Sequence, residues 1–267
     1  MNIGFIGAGN LAEAIIAGLK SDGSFVDDIL IYDTSEQRVE LCSSLGGLIS
    51  CASAEQVVLA SDLLLLAVKP HILPQVLDEL REVIPVRSPL VVSLAVGRSI
   101  DFLQRSLPDK AAVARVMVNL NARYRLSTGA YVLNSAVTET QEELLRSVFL
   151  RIGTLQKIPE TQFSVFFAVA GSSPAFAYLY IDALAKAAEE AGMAYADALA
   201  MAAQTVFGSA KTLLESPVLP PEMIDRVCSP GGTTIEGIKS LRENNFPATI
   251  KRAIEAVLAK DAFLQGK

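Results

Sequence analysis

Apolar positions in the first half of the chain come in short blocks rather than long stripes. Asn2 to Ile6, Ile29 to Tyr32, Leu63 to Val68, Leu90 to Leu94 and Ala112 to Met117 are rich in Ile, Leu and Val and apolar almost throughout. Each therefore reads as a strand buried on both faces, the pattern of a parallel sheet covered by helices. Helical spacing fills the intervals, with Asn10, Ser35, Ser53 and Ser99 as start signals whose side chains can accept from free backbone N–H groups. The alternation predicts a doubly wound α/β fold. It then fades through a strand at Ala130 to Leu133, a helix from Thr138 to Leu150 and a last strand at Leu155 to Ile158. From Thr161 onward only helical patterns remain, with Pro174 opening a long Ala-rich helix and Pro217, Pro220 and Pro221 breaking the chain later. Two domains are expected, an α/β domain over residues 1–160 and an all-α domain over 161–267. Small residues crowd the stretch from Ala168 to Gly208, and its apolar surface is too broad for a small helical domain to hide alone. Burial against a second copy is expected, with ordinary packing inside the domain as the alternative.

The first strand runs into Gly7-Ala8-Gly9-Asn10-Leu11-Ala12 and then an amphipathic helix. The first glycine permits a tight turn, the second lets backbone approach a pyrophosphate, and Ala12 is the small third position where helix packs on strand. Free N–H groups at the helix start would face the phosphates. Such a string is weak alone, but its place after a buried strand and inside a βαβ unit points to dinucleotide binding. Asp33 closes the second strand, where a carboxylate can accept from ribose hydroxyls and repel a 2′-phosphate, which favours NADH. Thr34, Ser35 and Arg38 stand beside it and could instead hold that phosphate, so the cofactor is read as NAD(H) or NADP(H). Ala67, Lys69 and Pro70 follow the Leu63 to Val68 block at the carboxyl edge of the sheet. Lys69 either meets ligand charge there or is a loop lysine before a helix-starting proline.

Composition narrows the chemistry. Just over half of the 267 residues are apolar, yet the longest uninterrupted runs fall short of the roughly 18 residues of a membrane span, and the N-terminus has no signal-peptide pattern. A soluble, cytoplasmic protein is expected. Three cysteines, Cys42, Cys51 and Cys228, fit reduced thiols better than a disulfide frame or a zinc site, so no metal is expected. A net charge of -6 without basic blocks gives no footprint for nucleic acid. The single histidine, His71, excludes a His-Glu-x-x-His metalloprotease, and no serine lies in a Gly-x-Ser-x-Gly elbow.

The second half carries more specific signals. Val169-Ala170-Gly171-Ser172-Ser173-Pro174 opens one helix, and Cys228-Ser229-Pro230-Gly231-Gly232-Thr233-Thr234 opens another. In the latter, two glycines free the backbone and the helix start leaves N–H donors for a carboxylate. Together with Gly4-Phe5-Ile6-Gly7-Ala8-Gly9-Asn10 and Ala67-Val68-Lys69-Pro70, these runs resemble the pyrroline-5-carboxylate reductase family along essentially the whole chain. The Ser-Pro-Gly-Gly-Thr-Thr run carries most of that specificity, whereas the glycine turn is common to many dehydrogenases. The resemblance implies an N-terminal domain of Rossmann type and reduction of the C=N of 1-pyrroline-5-carboxylate to L-proline by NAD(P)H, in a homodimer built through the helical domain. It implies that Thr234 hydrogen-bonds the ring nitrogen, as the catalytic residue, and that Ser229, Gly231, Gly232 and Thr233 complete the substrate seat. On the cofactor side the candidates are Gly7, Gly9, Asn10, Leu11, Asp33, Ser35, Ala67, Lys69, Pro70 and Asn119. One departure concerns the sixth strand: many members follow it with Met-Pro-Asn-Thr-Pro, whereas this chain reads Met117-Val118-Asn119-Leu120-Asn121. Asn119 is retained to line the nicotinamide pocket, without the prolines that pre-set the loop.

Hydroxyacid dehydrogenases share the two-domain plan but need an acid or base for the alcohol proton. Between Gly171 and Ile181 the only ionisable groups are Tyr178 and Tyr180. An imine can carry its own proton, so a site without a strong acid suits imine reduction better. A dinucleotide-binding protein without catalysis is the reading from another class.

Overall fold

The structure, a computed structural model, describes residues 1–265. Eight strands, β1 (Asn2–Ile6), β2 (Asp28–Tyr32), β3 (Leu48–Ser50), β4 (Leu63–Leu66), β5 (Leu90–Ser93), β6 (Val113–Met117), β7 (Ser127–Leu133) and β8 (Gly153–Lys157), form one sheet. Their order is β3-β2-β1-β4-β5-β6-β7-β8, parallel throughout except where β7 runs against β6. The helices of this part are α1 (Asn10–Lys20), α2 (Glu36–Ser43), α3 (Ala54–Ala60), α4 (Leu73–Glu79), α5 (Ile84–Arg87), α6 (Ile100–Ser106), α7 (Glu139–Phe149) and α8 (Phe163–Phe166). They are followed by α9 (Ser173–Glu190), α10 (Tyr195–Glu215), α11 (Pro220–Val227), α12 (Thr233–Glu243) and α13 (Phe246–Gln265).

The apolar blocks form the middle of the sheet because every residue in them has a covered face to occupy. In β4 all four leucines are fully buried: Leu63 and Leu65 join Ile3, Phe5, Ile15 and Phe149 on one side, while Leu64 and Leu66 join Ile6, Leu73, Leu77 and Val91 on the other. Successive strand side chains point to opposite faces, so a strand apolar at every position demands helices on both. Ser53, Ser99 and Thr138 start their helices as expected, accepting from Gln56, Phe102 and Gln141 backbone N–H groups respectively.

Departures from the expected elements have local causes. β3 has no apolar block because it pairs only with β2 at the sheet edge, where Ile49 and Ser50 are exposed. β7 begins three residues before the expected Ala130, since Ser127, Thr128 and Gly129 pair in register with Gly153, Thr154 and Leu155. The first helix starts at Asn10 but takes Gly9 as its cap, so Asn10 is helical rather than capping.

The chain makes two compact units. Met1–Gly171 together with the chain from Leu258 to Gln265 is one, and Ser172–Val257 is the other. The strand pattern ends near residue 160, yet the next turns stay with the α/β unit because Phe163 is buried with Met117 and Ala130. In the helical unit Ala185, Ala198 and Ala202 are buried, whereas Leu179, Met201, Phe207 and Leu214 are exposed. The helical run Glu160–Glu190 is long and apolar enough, by length and composition alone, to cross a membrane. A helix that packs on a second protein copy needs the same apolar character.

Candidate active site

Strand order departs in opposite directions from β1 and β4, so the loops that follow those two strands leave a crevice at the carboxyl edge of the sheet. Gly7 turns the chain there. Its N–H donates to the Tyr32 carbonyl at 2.8 Å, its φ is +102°, and a Cβ would lie 2.8 Å from the Ala67 carbonyl. Only glycine meets both demands. Gly9 differs: its φ is -70° and a Cβ would meet no atom within 4 Å. The fold does not require glycine there, so the bare space beside Gly9 is a cradle for something else. The first turn of α1 has no capping side chain, leaving N–H donors toward that space.

Two cavities meet at Gly9, Ala67, Val68 and Lys69. One, of about 550 Å³, is lined by Tyr32, Asp33, Thr34, Ile72 and Val76. The other, of about 380 Å³, is lined by Asn10, Leu11, Pro70, Leu94, Ala95, Val96 and Leu120. A dinucleotide has this shape, two flat halves joined at a pyrophosphate, and the residues present fit one. Asp33 faces the first half, and its carboxylate also builds the turn: Oδ2 accepts from Ala8 N–H at 2.7 Å and Oδ1 from Ser35 N–H at 2.8 Å. Ser35 is the N-cap residue of α2 but does not cap with its hydroxyl. Arg38 holds the next peptide, donating from Nε to the Ala8 carbonyl at 2.8 Å and pairing with Glu13 at 3.2 Å. Its Nε and one terminal nitrogen are thus engaged in holding the turn. Cys42 sits beneath this turn, and burial pushes its thiol pKa up.

Lys69 and His71 are exposed loop residues, with Lys69 on the shared wall of both cavities. Asn119 is buried and its amide is committed: Nδ2 donates to the Ala170 carbonyl at 2.8 Å and Oδ1 accepts from Asn121 N–H at 3.1 Å. Its neighbour Leu120 supplies the cavity wall instead. Without the prolines, Asn119 caps a short 3₁₀ turn, Leu120–Tyr124, that gives the loop its shape. Sequence reasoning passed over Leu94, Ala95 and Val96, whose only signal was their place at the carboxyl end of a buried strand.

In the helical unit, α11 ends at Val227 and the chain turns through Ser229 to Thr234. Gly231 has φ +70°, and the Gly232 N–H donates to the Ser229 carbonyl at 3.0 Å. Gly232 then caps α12 without any side-chain hydrogen bond, so the N–H groups of its first turn remain available. Ser229, Thr233 and Thr234 are exposed on this unit.

A glycine-turn crevice on a doubly wound sheet, followed by an all-helical unit, defines a nicotinamide-dependent oxidoreductase. Residues 2–97 match the family model described as NADP oxidoreductase coenzyme F420-dependent, and residues 160–264 match that of pyrroline-5-carboxylate reductase dimerisation. The chain is 36% identical to the pyrroline-5-carboxylate reductase of Escherichia coli, over 97% of this chain and 96% of that one. The Streptococcus pyogenes 1-pyrroline-5-carboxylate reductase structure superposes with a TM-score of 0.89 at 34% identity, covering 98% of each chain. The Plasmodium falciparum pyrroline carboxylate reductase, solved with NADP bound, superposes with a TM-score of 0.91 at 25% identity, covering 99% of this chain and 98% of that one. The chain belongs to the pyrroline-5-carboxylate reductase family. It is an NAD(P)H-dependent oxidoreductase that reduces the C=N bond of 1-pyrroline-5-carboxylate to give L-proline, and it forms a homodimer through its helical part.

Proposed function

We propose the following roles for individual residues in this reduction, with the cytoplasm as the compartment. Gly7, Gly9, Asn10 and Leu11 seat the pyrophosphate against the start of α1. Asp33 and Ser35 border the adenosine ribose, and Ala67, Lys69 and Pro70 form the wall between the two halves of the groove. Asn119 shapes the nicotinamide end by holding the loop that carries Leu120. The reduced nicotinamide, when bound, supplies the hydride. The N–H groups of Thr233 and Thr234 in the first turn of α12, with Gly231 and Gly232 setting the turn and Ser229 beside it, seat the substrate carboxylate. The Thr234 hydroxyl bonds the ring nitrogen and keeps that bond as the nitrogen changes from iminium to amine. A protonated imine needs no strong acid from the protein, so these residues act by orientation and by charge stabilisation.

The observation that carries this reading is the uncapped, glycine-initiated start of α12, which offers backbone donors to an anion. It is tested with 1-pyrroline, the same ring without its carboxylate. Two charge-assisted hydrogen bonds at about 1.5–3 kcal/mol each make its kcat/KM at least roughly 100-fold lower than that of the natural substrate. Comparable values for the two rings would show that the carboxylate is not seated there.

Asp33 bears on cofactor choice in two ways, because its carboxylate both faces the cavity and holds Ala8. Asp33→Ser is expected to lower kcat/KM with both cofactors, since the turn loses an anchor. The ratio of NADPH to NADH values should nevertheless rise about fivefold, the effect of removing one like charge some 5 Å away across wet surroundings, roughly 1 kcal/mol. Steady-state kinetics with each cofactor measure that ratio, and an unchanged ratio would show that the Asp33 charge is not felt at the 2′ position.

A further inference from the structure

The chain from Leu258 to Gln265 returns to the α/β unit and packs beside the nicotinamide half of the groove. A Cβ on Gly97 would lie 2.9 Å from Leu264 Cβ, so the last turn of α13 closes directly on the loop that carries Leu94, Ala95 and Val96. One turn earlier Asp261 is 2% exposed, with Oδ2 accepting from Gln265 Nε2 at 2.7 Å. The same unit holds a buried arginine, Arg115, and the part-exposed Glu160. Arg115, on β6, is in register with Ser93 at the foot of the loop. Its guanidinium lies 4.1 Å from the Phe163 ring centre, and it pairs with Glu160 at 3.2 Å. The same Glu160 oxygen accepts from Ile100 N–H at 2.7 Å, which fixes the far end of the loop. Burial drives the Arg115 pKa down while the charges of Glu160 and Asp261 drive it up, so Asp261 is within electrostatic reach. Among the described residues, Arg115 Nε and Asp261 Oδ1 are buried without a hydrogen-bond partner. Burying such atoms is costly, and packing alone would be served better by apolar side chains.

We propose that Asp261 and Leu264 are positioning residues for the reductase reaction: the end of α13 holds the Leu94 to Gly97 loop in the shape that receives the nicotinamide. The inference rests on the dinucleotide reading of the groove. The adenosine half, lined by Asp33, Thr34 and Val76, is built from other segments and does not depend on it. The consequence is a selective defect, in which loss of the held loop weakens binding of the whole cofactor and spares its nicotinamide-free fragment.

The test uses full-length Leu264→Ala and Asp261→Asn, with the milder Leu264→Val in case the others fold poorly. NADPH and NADH are titrated by their dihydronicotinamide fluorescence, and ADP-ribose and its 2′-phosphate by calorimetry. If the receptive loop shape falls to a tenth of the population, dinucleotide affinity falls about tenfold while fragment affinity is unchanged. The fluorescence of bound cofactor should also move toward that of free cofactor, and Asp261→Glu should restore part of the loss. Equal weakening of dinucleotide and fragment, or no change in either, overturns the proposal. Wild-type protein that binds neither would overturn the dinucleotide reading, and this inference with it.

Discussion

Gly9→Val is expected to weaken NAD(P)H binding more than about 100-fold while leaving the protein folded, with a melting temperature close to that of the wild type. The reasoning joins two observations on one residue. Its backbone, φ -70° and ψ 178°, is open to any L-residue, and an added Cβ finds no protein atom within 4 Å. The fold therefore tolerates a side chain. The pyrophosphate does not, because valine would fill the space next to the free N–H groups of α1. Losing those contacts to a charged group should cost about 3 kcal/mol or more, which is the stated factor. Gly7→Ala is the contrasting control: φ +102° and a 2.8 Å approach to the Ala67 carbonyl make the protein itself less stable. Fluorescence titration and thermal melts separate the two cases. Tight cofactor binding by the valine variant would overturn the placement of the phosphates.

Thr234→Val should reduce kcat/KM for 1-pyrroline-5-carboxylate by about 5- to 150-fold, the loss of one hydrogen bond to a charged nitrogen of roughly 1 to 3 kcal/mol. Valine keeps the branched shape and removes only the hydroxyl. Thr234 lies in the first turn of α12, and Gly232 rather than Thr234 is the helix cap, so the helix start should survive the change. Cofactor affinity should remain nearly constant, since the glycine turn and its anchors, Asp33 and Arg38, lie in the other unit. Steady-state kinetics of the imine and a cofactor titration check the two halves of the expectation. Wild-type kcat/KM in the valine variant would make Thr234 a helix-start residue only, and the substrate nitrogen would need another partner.

Much of this was legible in the sequence by itself. A strand apolar at every position, such as Leu63 to Leu66, can exist in water only when covered on both faces, so the parallel sheet and its helices followed from pattern alone. The helix starts after Gly7 to Gly9 and after Gly231 and Gly232 were legible because their backbone geometry is local: each depends on glycine freedom and free N–H groups within a few residues. What tertiary structure decided is what depends on residues far apart in the chain. That Asp33 holds the Ala8 N–H and Arg38 the Ala8 carbonyl could not be read from spacing, nor could the Asn119 amide being spent on Ala170, 51 residues away. Edge strand β3 and the polar start of β7 left no signal, because pairing with a neighbour rather than burial creates them. The return of the end of α13 to the α/β unit, with Leu264 against Gly97 and Asp261 in electrostatic reach of Arg115, likewise depends on the folded chain. Local patterns record how each residue meets water; only the folded chain records which distant residues meet each other.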